Sequence, residues 1–230
     1  MLLRVKYAKT PEGRFLSHLD MARTMERAFR RARLPLAFSE GFNPHPKFSF
    51  GSALAVGVTS EGEYLDIELR EDLPVEEVRS RLEAALPPGL KLLEIKKLEN
   101  RGESLTAQIN MARYQLEIPL LQTVSREQLD EAIAAILAES AFTITRQGKK
   151  GPREVNIREG IFDLKGKVED NIVLLEMDLQ TGSEGNVKPD EVLQILRDKG
   201  NIPLAPIVRI HRQGLFIRKD DRIKTPMEEE

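Results

Sequence analysis

Three arginines, Arg23, Arg27 and Arg30, recur at spacings of four and three residues, with Arg31 beside the last. On a helix such spacing makes one stripe. A guanidinium donates two parallel hydrogen bonds and keeps its charge, so the stripe suits phosphate oxygens. Shortly after it, Asn43-Pro44-His45-Pro46-Lys47 sets a histidine between two prolines. Each proline fixes its own backbone and drives the residue before it toward extended geometry, which holds Asn43 and His45 in place beside the Lys47 cation. His45 could meet a phosphate, act as an acid or base near neutral pH, or shape the loop by bonding a carbonyl; His18 is the second, weaker catalytic candidate. Phe42, in Gly41-Phe42-Asn43-Pro44, could stack an unpaired base. Phe48 and Phe50 alternate with Ser49, as core-facing strand residues do.

A second basic stretch, Gln147 to Arg153, carries Lys149, Lys150 and Arg153 among glycines. It could close over a nucleic-acid backbone or be an ordinary solvated hairpin loop. It lacks the GxxxxGK pattern followed by Ser or Thr, and the chain has no GxGxxG, so neither ATP nor NAD is indicated. His18, His45 and His211 show no ligand spacing, and no metal site is expected. Asp66 and Glu68 share one strand face, where an exposed surface is the default reading.

The net charge of −2 hides segregation: residues 1–50 hold ten bases against four acids, and residues 141–167 hold seven against three. Two basic regions on an acidic background fit a polyanion-binding surface, although paired surface charges would also serve solubility. The 230 residues contain no cysteine, which excludes disulfides, zinc–cysteine sites and a cluster held by thiolates. No run is long and apolar enough for a membrane span or a secretion signal, so a cytoplasmic location is expected.

The elements that must position these residues follow from their periodicities. Leu2–Lys9 reads as a strand, Ser17–Arg33 as a helix opened by Ser17 with Asp20 three residues on, with Ala22, Met25, Phe29 and Ala32 on its core face. A short strand at Leu36–Ser39, an extended run to Val58, a strand at Tyr64–Leu69, a helix at Pro74–Leu86 and a strand at Leu90–Leu98 complete a β-α-β-β-α-β order. The second half repeats it with strands at Ala107–Leu120, Phe142–Arg146, Glu154–Leu164, Ile172–Leu179 and Pro206–Ile217, and helices at Ser125–Glu139 and Pro189–Lys199. The expected fold is α+β: two tandem ferredoxin-like (split β-α-β) subdomains with antiparallel sheets, at residues 1–100 and 103–217. Residues 218–230 read as a disordered tail.

The run Phe15-Leu16-Ser17-His18-Leu19-Asp20, with Arg23, Arg27-Ala28, Arg30-Arg31-Ala32, Gly41-Phe42-Asn43-Pro44-His45-Pro46-Lys47 and Ser49-Phe50, resembles a bacterial family of unknown function, the radical-SAM-associated or radical-SAM-linked proteins. In that family the domain is fused behind a radical SAM domain or encoded beside one, often near a ribonuclease of the E/G type and ribosomal protein genes. The resemblance implies an accessory chain of RNA modification or ribosome maturation, partnered by a radical SAM enzyme. The iron–sulfur cluster and S-adenosylmethionine are then expected on that partner only.

The leading expectation is therefore an RNA-binding accessory protein that presents RNA or a ribosomal particle to the enzyme. Arg23, Arg27, Arg30, Arg31, Asn43, His45, Lys47, Lys149, Lys150 and Arg153 would hold phosphate, and Phe42 would stack a base. One alternative is a metal-independent endoribonuclease or other RNA-processing enzyme; the expected fold is similar to CRISPR-repeat endoribonucleases and some pseudouridine synthases. The other is a module that binds only the radical SAM partner.

Overall fold

The computed structural model describes residues 1–100, 102–148 and 151–228. The fold is mixed α+β with mostly antiparallel strands, and the chain forms two compact units: residues 1–110 with 212–230, and residues 111–211. The sequence suggests a division near residue 100 and a second unit running to 217. Instead the chain leaves the first unit after Asn110 and returns to it at Arg212. No helix among the described residues is long and apolar enough to cross a membrane.

In the first unit, strand β1 (Leu2–Lys9) lies between β3 (Thr59–Glu68) and β4 (Leu90–Leu98), antiparallel to both. The other edge of β3 carries β2 (Phe48–Phe50), antiparallel, and β10 (Arg209–Lys219). Helices α1 (His18–Arg31) and α2 (Val75–Ala85) bury one apolar stripe each. Their core joins Leu3 and Val5 of β1, Leu65 and Ile67 of β3, Met25 and Phe29 of α1, and Val78 and Leu82 of α2. Met25, Phe29 and Ala32 are buried as expected, together with Met21 and Ala28, while Ala22 sits at the margin of the buried face.

A one-turn helix, α3 (Leu105–Gln108), precedes the second unit and takes in the first two residues of the strand expected at Ala107–Leu120; Ser104 caps it by accepting from the Ala107 amide. The expected disordered tail is also corrected. Residues after Lys219 turn back as β11 (Arg222–Lys224) on β10. Met227 is buried, and the Pro226 carbonyl accepts from buried Arg4 at 2.8 Å. Lys96 holds the Met227 carbonyl at 3.0 Å. The tail's polar sequence hid these bonds because they use its backbone rather than apolar side chains.

In the second unit β9 (Ile172–Gln180) pairs antiparallel with β5 (Met111–Pro119) and β8 (Ile161–Glu169). Helices α4 (Arg126–Ala138) and α5 (Pro189–Asp198) belong to this unit, α4 opened by a Ser125–Gln128 capping box at the start of the expected helix. The strand expected at Glu154–Leu164 is two strands. Its first part, β7 (Gly151–Asn156), pairs with β6 (Thr143–Gly148) in a separate two-stranded sheet. A short 3₁₀ turn, Arg158–Gly160, then leads into β8. Gly160 packs closely there, since a Cβ on it would lie 2.5 Å from a Val187 methyl.

Candidate functional site

The arginine helix begins where sequence places it. The Ser17 hydroxyl accepts from the Asp20 amide at 3.2 Å and donates to its carboxylate at 2.6 Å. That bond is the main cause holding the exposed Asp20 carboxyl below its ordinary range. With Met21, Met25, Ala28 and Phe29 turned inward, Arg23, Arg27 and Arg30 are left on the exposed side. Arg23 stands 4.0 Å from Asp20, and Arg30 pairs with Glu26. Such exposed pairs one turn apart are worth only about 0.3–0.5 kcal/mol, so a phosphate can displace them. Arg31 belongs elsewhere: its guanidinium donates to the Ala85 carbonyl at 3.2 and 2.7 Å, capping the C-terminal end of α2. It is a structural clamp rather than a phosphate contact.

The proline-stiffened loop projects from the same unit. Ser39 N donates to the His45 carbonyl at 2.8 Å, His45 N donates to Ser39 Oγ at 3.0 Å, and Lys47 N donates to the Ala37 carbonyl at 2.8 Å. These bonds close the loop at its base and spend the backbone of His45, while Asn43, His45 and Lys47 stay exposed. Phe42 at the tip is fully exposed. Gly41 supplies the turn before it, at φ +122° with nothing near its missing Cβ.

Phe48 and Phe50 behave as core residues. Phe48 meets Phe29 of α1 edge-on at 5.5 Å and Phe50 at 5.8 Å. The first of these contacts ties the loop's exit strand to the arginine helix. Phe50 in turn meets His18 at 5.3 Å, also edge-on. His18 therefore sits over an aromatic ring at the start of α1, and no third histidine joins it and His45 in this unit; among the described residues no group of three metal-ligating side chains occurs. Asp66, expected on a wet strand face, is held by Arg4 through two hydrogen bonds at 2.9 and 3.0 Å.

Of the second unit's basic residues, Arg146 is engaged: both Glu191 oxygens accept from it at 2.7 Å, and the Asn186 carbonyl at 2.6 Å. Arg153, opposite it across β6 and β7, is exposed. Lys149 and Lys150 lie outside the described residues. Lys165 pairs with Asp163 and Lys167 with Glu169, so much of the local excess charge read from sequence is neutralised. The excess in residues 1–50 is thinned too, since Arg4 and Lys9 are buried.

Sequence reasoning missed one cluster in the first unit. Lys9, Glu63 and Arg212 are each no more than 2% exposed, and Tyr7 is buried beside them. Arg212 Nε donates to Glu63 Oε1 at 2.7 Å, and Nη2 donates to Oε2. Desolvation, then the neighbouring Glu63 charge, pushes the Tyr7 hydroxyl well above its ordinary value. Only the placement of charged residues within otherwise apolar strands could have signalled the cluster.

No curated protein matches the chain. Among solved structures, a chain in the crystal structure of a Cbf5–Nop10–Gar1 complex is similar at a TM-score of 0.52 and 10% identity. The likeness covers 93% of this chain and 47% of that one, so this chain spans about half its length. At 10% identity the likeness concerns fold alone. A crystal structure of an unknown protein from Galdieria sulphuraria aligns over 92% of this chain and 97% of its own at 12% identity, with a TM-score of 0.25. Residues 2–189 match the family described as "Uncharacterized protein conserved in bacteria" (DUF2344), and with most of its length matched the chain belongs to that family.

Proposed function

We propose that the protein is an RNA-binding accessory protein that works with a radical SAM enzyme in RNA modification or ribosome maturation. The observation that carries the reading is Phe42: a fully exposed ring at the tip of a closed, proline-stiffened loop, flanked by exposed His45 and Lys47 and joined through Phe48 to a helix bearing Arg23, Arg27 and Arg30. An exposed ring on a stiffened loop offers a preformed stacking face, and unpaired bases have the π-face to meet it. The cations around it would track the backbone. Arg153, Lys149 and Lys150 would make a separate basic contact on the second unit.

The radical SAM partner is inferred from the resemblance in the first 68 residues, and its cluster and S-adenosylmethionine would reside on the partner, because this chain has no cysteine to hold them. The strand order β4-β1-β3-β2 of the first unit supports the ferredoxin-like reading of that half. We place the protein in the cytoplasm with its RNA.

The test is affinity for single-stranded RNA as a function of salt, for the native chain and for Arg27→Glu combined with Arg30→Glu. The reading requires a falling log K with log salt and a large loss on charge reversal. A flat salt response, or reversal without effect, refutes RNA binding. Co-purification with the radical SAM enzyme that survives nuclease and high salt, in a protein that ignores RNA, would leave the interaction module in its place.

A further inference from the structure

A narrow crevice of the first unit is lined by Tyr7, Lys9, Ser17, His18, Ser52 and Glu63. Its interior holds about 10 Å³, about the room of a single water or one oxygen atom. Three charges are buried around it. Glu63 gives both carboxylate oxygens to Arg212, whose remaining nitrogen Nη1 donates to the Ala53 carbonyl at 3.2 Å. Lys9 has only carbonyls: Leu16 O at 3.1 Å and Ala55 O at 3.4 Å. An ammonium has three donors, so one is left over. A buried ammonium with a donor unused is unfavourable, and this one borders an opening that fits one more oxygen.

We infer that this crevice is an oxyanion site: one oxygen of a phosphate or carboxylate enters it and accepts from Lys9 Nζ, and the rest of the ligand lies among Ser17, His18 and Ser52. The inference does not rest on RNA binding by the Phe42 loop, which is a separate surface feature. It gives His18 a place beside a ligand. Burial also lowers the Lys9 ammonium below the ordinary lysine range, and a seated anion would reverse that shift.

The experiment is thermal unfolding of the full chain in sodium phosphate, sodium acetate or sodium chloride at equal ionic strength, beside Lys9→Met. The expected result is a midpoint raised in phosphate, acetate or both relative to chloride, saturating with concentration, and no such saturating rise in Lys9→Met. Phosphate alone identifies a phosphate ligand; acetate alone identifies a carboxylate. Phosphate also strengthens folding generally, and the variant removes that contribution from the comparison. Equal midpoints of the native chain in all three salts, or the same saturating rise in Lys9→Met, overturn the inference. Should Lys9→Met not fold, calorimetric titration of phosphate into Ser52→Val takes its place: at least tenfold weaker binding than native supports the site, and unchanged binding refutes it.

Discussion

Arg212 and Glu63 meet in a two-point ion pair, 149 residues apart in sequence and each no more than 2% exposed. The pair fastens β10 to β3 within the first unit, and its energetics are asymmetric. Removing one partner strands a buried charge, so Glu63→Gln is expected to cost about 3–5 kcal/mol. Replacing both, as Glu63→Leu with Arg212→Met, is expected to cost much less than either single change. Urea unfolding at pH 7 of Glu63→Gln, of the singles Glu63→Leu and Arg212→Met, and of the double measures both, and additive losses in the cycle would show that the pair is not the coupled unit described.

Phe42 touches nothing that stability needs. Phe42→Ala is expected to leave the unfolding midpoint unchanged while weakening single-stranded RNA binding by about 1–3 kcal/mol, the usual worth of one stacked base. Arg27→Gln is expected to lower the salt slope by about 0.7 if that residue meets one phosphate of a single strand. Fluorescence anisotropy across a salt series reads both numbers, and an unchanged affinity in Phe42→Ala removes the ring from the interface.

Alkaline pH separates two buried groups of opposite sign. Burial raises Tyr7 well above its ordinary value, and Tyr64 is raised by burial and then by Glu94. Unfolding lets both lose a proton from about pH 10, so the folded state binds more protons there and stability falls as pH climbs. Lys9 acts the other way: its lowered value means the unfolded chain binds more protons up to about pH 10.5, and stability rises with pH through that window. Denaturant unfolding from pH 8 to 11.5 should show less of the late fall in Tyr7→Phe and less of the early rise in Lys9→Met. Identical curves for native and variants would contradict the assignment.

Gly89 and Gly13 press together where the turn before β4 meets the segment before α1. Gly89 has φ +94°, and a Cβ there would lie 2.6 Å from the Gly13 nitrogen. The contact is backbone on backbone, which cannot yield as a flexible side chain would. Gly89→Ala is therefore expected to lower stability by about 1–3 kcal/mol. A chemical melt within error of native would show that the turn relaxes.

The sequence made some of this plain and hid the rest for physical reasons. The Ser17 cap, the Ser125–Gln128 box and the strand at Leu2–Lys9 were legible because local bonds and alternation determine them. Arg31 looked like its neighbours, and only the position of the Ala85 carbonyl, 54 residues away, makes it a clamp. Lys9 shares the strand face of Leu3, Val5 and Tyr7, and Glu63 that of Leu65 and Ile67, so both are charges placed on apolar faces; β10, from far along the chain, carries the Arg212 that pairs with Glu63. The break between β7 and β8 was missed because the turn that separates them, Arg158–Gly160, is only three residues long and lies between two strand-like runs. Of the candidate contacts, Phe42, Asn43, His45, Lys47, Arg23, Arg27 and Arg30 are exposed as a binding role requires, since exposure follows from helix phase and proline geometry.

The return of residues 212–228 to the first unit has a consequence for synthesis. The strand that completes the first unit's sheet, and the arginine that pairs with Glu63, are made only after the whole of the second unit. At about 5–20 residues per second, the intervening second unit takes about 5–20 s to make. Through that interval the nascent first unit holds Glu63 without its partner. The half of the chain made first thus completes its sheet only after the other half has been made.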